Sequence, residues 1–199
     1  MKKYIFLLFM MLLAMCAPEK SRFDILEEKQ AEQIKTGIRT DTIFLDLTYG
    51  MSQRLTFESF QQKVNDSIFM LRKNGVFEYN MPLDAGMVRV AFHANFSKDS
   101  LYSLSLILKG KNAAEAEQLQ QRMVKMLEKE NGIPVTFPCE SDETKNDFYF
   151  IKGNQQIEIK YPYKSNRTIV TYSDFTMENR VSKEELQKKN AKIPDDQEE

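Results

Sequence analysis

The side chains able to do chemistry are few. His93 is the one histidine of the chain, so neither a multi-histidine metal site nor the helical histidine pair of zinc proteases can form. In an alternating run it falls beside Arg89 and Asn95, on the face away from Phe92 and Ala94, which is the place of a solvated sheet histidine. Cys139 stands between Pro138 and the acidic stretch Glu140 to Glu143, a setting not expected to yield a nucleophilic thiolate. Asp41, Asp46, Glu140, Asp142 and Asp174 are carboxylates of the kind that work as acid and base in glycoside hydrolases, provided two of them meet across a cleft. Their spacing pairs none of them. The seven glycines never take the order of a dinucleotide or P-loop cradle, and no serine lies in a Gly-x-Ser-x-Gly elbow. No catalytic residue, metal ligand or cofactor is therefore expected, and a carboxylate-based hydrolase acting on glycans is the enzymatic alternative.

At 199 residues and 42% hydrophobic, the chain can bury a core without staples. Its 28 basic and 29 acidic residues leave a formal net charge of −1. With no basic surplus to neutralise a phosphate backbone, nucleic acid is not an expected partner. The N-terminus has the layout of a secretory leader: basic Met1-Lys2-Lys3, an apolar run from Tyr4 to Ala14 and a break at Cys16-Ala17-Pro18. The run is too short to span a bilayer. Export to the cell envelope follows as the expectation. Leu13-Ala14-Met15-Cys16 resembles the lipobox of bacterial lipoproteins, which implies lipidation of Cys16 and a membrane-anchored mature chain; Met15 stands where a smaller residue is usual. The alternative is ordinary cleavage near Ala17 with no lipid. Lipidation or removal of Cys16 leaves Cys139 alone, without an intrachain disulfide.

Residues 17–40 are charged, with scattered apolar Phe23, Ile25, Leu26, Ile34 and Ile38, and read as a tether with a short helix at most. Phe57, Phe60, Val64, Ile68 and Leu71 recur at helical spacing, with Thr56 as N-cap and Asn74-Gly75 as stop. A second helix runs from the cap Asn112 through Leu119, Met123, Met126 and Leu127 to Asn131-Gly132. Strand-like runs follow each. Val76 to Tyr79 is short, Val88 to Phe96 alternates, and Tyr102 to Leu108 alternates. For the apolar faces of the last two to coincide, paired residue numbers must sum to an even number, so the connection at Ser97 to Ser100 must be odd in length or bulged. Ile133 to Phe137, a hairpin turning at Gly153-Asn154, and Thr168 to Ser173 complete the second set, and Asp41 to Asp46 leads the first.

The expected fold is α+β: an antiparallel sheet with two main helices on one face, arranged as a tandem helix-strand-strand-strand repeat with halves 41–110 and 111–175. Residues 176–199, with capping-box spacing at Ser182 to Glu185 and an acidic end, read as a short helix and tail. Both ends are expected to be mobile.

This layout resembles the helix-plus-meander repeat of β-lactamase-inhibitor-like lipoproteins. Asp41-Thr42-Ile43-Phe44-Leu45, Gly50-Met51, Val64-Asn65, Phe96 with Lys98-Asp99, and Gly153-Asn154-Gln155-Gln156-Ile157 also resemble a group of uncharacterised lipoproteins from Bacteroides-type bacteria, over about Asp41 to Phe175. The second resemblance implies a setting and no chemistry. In that setting Asp41-Thr42-Ile43, Asp66-Ser67-Ile68 and Asp99-Ser100-Leu101 match an O-glycosylation pattern, with Ser100 and Thr42 the better acceptors.

Two stretches are candidate contact surfaces. The sheet face away from the helices would carry Arg89, Ala91, His93 and Asn95 with Ser103 and Ser105, and Tyr161-Pro162-Tyr163 would set two aromatics about a rigid bend. The function these features imply is a non-enzymatic envelope module that binds a protein or glycan. A structural or assembly role and the hydrolase are the alternatives.

Overall fold

The computed structural model describes residues 20–190 except Ala85, Ser141, Tyr163 and Lys164, and leaves aside the side chains of Glu143 and of 185–190. Four helices and ten strands lie in this range, with the strands forming an eight-stranded antiparallel sheet and a small two-stranded one. The fold is α+β.

The chain opens with helix α1 (Arg22–Lys35), followed by the hairpin β1 (Thr42–Phe44) and β2 (Leu47–Thr48). Then come α2 (Gln53–Asn65) and the meander β3 (Phe69–Leu71), β4 (Phe77–Leu83), β5 (Gly86–Ser97) and β6 (Ser100–Lys109). The pattern repeats as α3 (Ala113–Asn131) with β7 (Val135–Cys139), β8 (Asp142–Lys152), β9 (Gln155–Lys160) and β10 (Arg167–Asp174), before a last helix, α4 (Phe175–Asn190). Each half is thus one helix and four strands, one strand more than the expected repeat. The sheet order is β3-β4-β5-β6-β10-β9-β8-β7, so the last strands of the two halves meet at the centre.

The extra strand in the first half comes from the end of the expected helix. Asn65, Asp66 and Ser67 are weak helix formers whose side chains compete with the helical backbone. The helix stops there, with Asp66 at the C-cap and Ser67 at φ +60°. Ile68 and Leu71 therefore leave the helix and stay half exposed, while Phe69 enters the core from β3. Asn74-Gly75 turns β3 into β4, Arg72 N–H donating to the Val76 carbonyl at 2.9 Å. The N-cap is Ser52, whose Oγ accepts from Leu55 N–H at 3.2 Å. Thr56 lies a turn further on, fully buried, with its hydroxyl on the Ser52 carbonyl. Asn112 caps α3 as expected, accepting from Glu115 N–H at 2.9 Å, and Gly132 at φ +79° ends it.

The β5–β6 connection obeys the parity requirement. Lys98 and Asp99, at φ +48° and +63°, make a two-residue turn of the primed kind that suits a twisted hairpin. Register then shifts: Phe96 pairs with Leu101 but Asn95 pairs with Ser103, leaving Tyr102 as a bulge. From there Ala94 faces Leu104 and Phe92 faces Leu106, and both apolar sets look the same way.

That way lies the main core. Val90, Leu104, Leu106, Leu108 and Val170 of the sheet are fully buried against Phe60 of α2 and Leu119, Met123 and Leu127 of α3. The β1–β2 hairpin, expected as a single leading strand, joins the same core through Ile43 and Leu47 after a turn at Leu45-Asp46. All of these core residues lie within the described range. No helix among the described residues is long and apolar enough to cross a membrane.

The second face of the sheet is partly roofed, because the expected tether is not one over its described residues. Helix α1 has a Ser21 capping box and packs Leu26 against Phe137 and Tyr149. These two are on the side of β7 and β8 opposite Phe148 and Phe150. The last helix begins at Phe175, not at Ser182: Asp174 Oδ1 accepts from Thr176 and Met177 N–H, and α4 packs on β10 and β6.

Candidate functional site

Strand alternation sorts the second face residue by residue. It carries Glu78 and Asn80 of β4, Arg89, Ala91 and His93 of β5, Ser103, Ser105, Ile107 and Lys109 of β6, and Arg167, Ile169 and Thr171 of β10. Helix α1 covers β7 and β8, and α4 covers the ends of β10 and β6. From β4 to the start of β10 the face is an uncovered recess of about 670 Å³ lined by Ala91 and Ile107 among others.

Arg89, Lys109 and Arg167 also line that recess. Arg89 is 60% exposed, its Nε 3.6 Å from Glu78, whose Oε2 is also held by Arg72 at 2.6 Å. Lys109 and Arg167 are directly opposed across β6 and β10. Neither has a carboxylate within ion-pair distance among the described residues. Like charges placed directly opposite each other destabilise a sheet, so this pair is a feature that folding alone does not favour.

The expected contact residues divide. Arg89 and His93 are exposed on the recess, and Asn95 is half exposed near it. Ser105 is partly buried, sharing a hydrogen bond with the Thr171 hydroxyl at 3.0 Å. Ser103 is only 3% exposed, paired with the equally buried Ser173 where α4 crosses. Tyr161, just past the end of β9, is 6% exposed, with its carbonyl 3.9 Å from Cys139 Sγ, so its side chain is packed rather than presented on a contact loop. Tyr163 and Cys16 lie outside the described residues. Thr42 is exposed on β1, and Ser100 is half buried opposite Ser97. Lys109 and Arg167 were not singled out by sequence. Extending the Ser103, Ser105 alternation by two steps reaches Lys109, whereas Arg167 joins it only through the β6–β10 pairing.

The five carboxylates considered for chemistry each have a local partner. Asp41 pairs with Arg39 at 2.9 Å, Asp46 lies 3.4 Å from Lys63 and Glu140 3.6 Å from Arg22. Asp142 accepts from Thr144, and Asp174 accepts from Asn154 Nδ2 at 2.7 Å while capping α4. Among the described residues no group of three His, Cys, Asp or Glu side chains could hold a metal ion.

A second polar cluster lies under α1. Arg22 donates to Asp147 Oδ2 at 2.8 Å and to the Tyr149 hydroxyl, with its guanidinium 5.3 Å and 5.0 Å from the ring centres of Phe137 and Tyr149. Burial raises the Asp147 carboxyl pKa and the Arg22 contact opposes that rise. Asp147 Oδ1 is buried without a hydrogen-bond partner. The cluster fastens α1 to the sheet.

Compared with known proteins, the chain matches no family model, no curated protein and no solved structure. The fold is α+β, and what the site can bind rests on its own chemistry.

Proposed function

We propose that the protein is an exported, lipid-anchored binding module of the cell envelope, without catalytic activity of its own, whose contact surface is the uncovered half of the second sheet face. The partner is a protein or glycan that presents negative charge. The observation that carries this reading is the opposed couple Lys109 and Arg167, two cations without a carboxylate partner among the described residues, beside Arg89 at an uncovered recess. Such an arrangement is unfavourable in the free protein and becomes favourable when an anionic partner is seated on it. The leader and the lipobox-like Cys16 supply the setting.

Lys109→Glu separates this reading from an ordinary solvated sheet face. It converts a like-charge couple into an opposite-charge one, so thermal unfolding is expected to show unchanged or slightly higher stability, by about 0.2–1 kcal/mol. Crosslinking in intact envelopes, with captured material identified by mass spectrometry, is expected to lose its partner in Lys109→Glu and in Arg89→Ala with His93→Ala. Capture that survives both changes refutes this surface. Radiolabelled fatty acid entering the native protein and not Cys16→Ala is the expected result for the anchor, and equal labelling of both refutes it.

A further inference from the structure

The other side of the sheet holds a recess that the binding reading does not use. It lies between the β1–β2 hairpin and the last turn of α3, with a volume of about 420 Å³. That is within the range of small-molecule sites, which are typically apolar concavities with a few placed polar groups. Met81, Ile157 and Tyr172 come from the sheet, Phe44 from the hairpin and Met126 from α3. Glu130 and Lys152 stand among its polar lining residues.

Tyr172 distinguishes this recess from a packing gap. Its side chain belongs to the main core and the residue is 6% exposed, yet its hydroxyl has no hydrogen-bond partner among the described residues. Of the other core tyrosines, Tyr49 accepts from Gln155 Nε2 at 3.2 Å and Tyr149 accepts from Arg22. The Tyr172 hydroxyl is not among the fully buried unpaired atoms, so it opens onto the recess and can donate to an acceptor seated there. Burial, together with the negative charge of Glu130, raises the Tyr172 pKa, so the phenol remains protonated and is a donor. The same Glu130 charge disfavours an anionic acceptor.

We infer that this recess binds an uncharged ring compound bearing a ketone or similar acceptor oxygen, which takes the Tyr172 O–H while its ring lies between Phe44 and Met126. The binding is independent of the recess on the opposite face.

The test uses Prodan, an uncharged naphthalene ketone whose emission moves to the blue in apolar surroundings and responds to hydrogen bonding at its carbonyl. The chain from Ala17 onward, which contains the whole core described above, is titrated without detergent. Saturable one-to-one binding with blue-shifted emission is expected. Tyr172→Phe keeps the ring and removes only the hydroxyl, so affinity should fall about fivefold, the worth of one net hydrogen bond, with the bound emission moving further to the blue. Met126→Trp fills the recess and should abolish binding, with circular dichroism confirming that both variants fold. Absence of saturable binding to the native chain overturns the inference and leaves Tyr172 solvated by water. Affinity equal to native in Tyr172→Phe, or binding retained in folded Met126→Trp, also overturns it.

Discussion

Replacing Arg22 by methionine tests whether the N-terminal helix is part of the folded domain. The side chains of Arg22 and Asp147 are only 16% and 4% exposed, and the guanidinium is the partner of Asp147 Oδ2, Oδ1 having none. Methionine keeps most of the apolar stem over Phe137 and Tyr149 but leaves a buried carboxylate alone. Removing one member of a buried ion pair costs about 3–5 kcal/mol. Because Arg22 retains some contact with water, the lower end applies, about 3 kcal/mol, or roughly 6–12 °C in melting temperature for a domain of this size. Arg22→Met with Asp147→Leu removes both charges and should return to within about 1 kcal/mol of native. Without the guanidinium, only the charge of Lys160 opposes the burial that raises the Asp147 pKa. The carboxyl then takes up a proton more readily as the pH falls, and the deficit of the single variant should shrink on acidification. Urea unfolding at pH 7 and in mild acid, with amide exchange over residues 22–35, measures all three effects. A single-variant deficit below about 1 kcal/mol, or a double variant no better than the single, refutes the buried-clamp reasoning.

Gly153→Ala should destabilise by at least about 2 kcal/mol, measured by thermal unfolding. The residue sits at φ +60°, and an added Cβ would fall on the Ile38 carbonyl oxygen, where the α1 exit segment crosses the β8–β9 turn. Glu178 on α4 has its carboxyl pKa raised, chiefly by burial, with the Ser173 hydrogen bond opposing. A raised folded-state carboxyl favours the fold below the ordinary Glu value and loses that contribution as pH rises through the folded pKa. Glu178→Gln should therefore be more stable than native at pH 7, with the difference closing in acid. Melting temperatures measured across that range check the sign, and a Gln variant less stable than native at pH 7 contradicts it.

What could be seen in the sequence was set by short-range rules. The Asn112 cap and Gly132 stop of α3, the Gly153-Asn154 hairpin and the parity of β5 with β6 follow from backbone preferences and from the two-residue period of strands. So does the assignment of Arg89 and His93 to the face away from the core. Periodicity carried the first helix too far because Ile68 and Leu71 fit a helical stripe as well as they fit the approach to a strand, and only the β3–β4 pairing separates the two. Tertiary structure decided the rest. Alternation assigns Ser103 to a face, but whether water reaches it depends on where α4 lands seventy residues later. The scattered apolar residues of 22–35 look like a tether until Phe137, Tyr149 and Asp147 supply a surface for Leu26 and a counter-ion for Arg22. Lys109 meets Arg167, and the Tyr172 hydroxyl comes to lie in a recess between hairpin and helix, through contacts between segments far apart in the chain. Local preference states which way a side chain points along its own element; only the packing of distant elements determines what, if anything, stands opposite it.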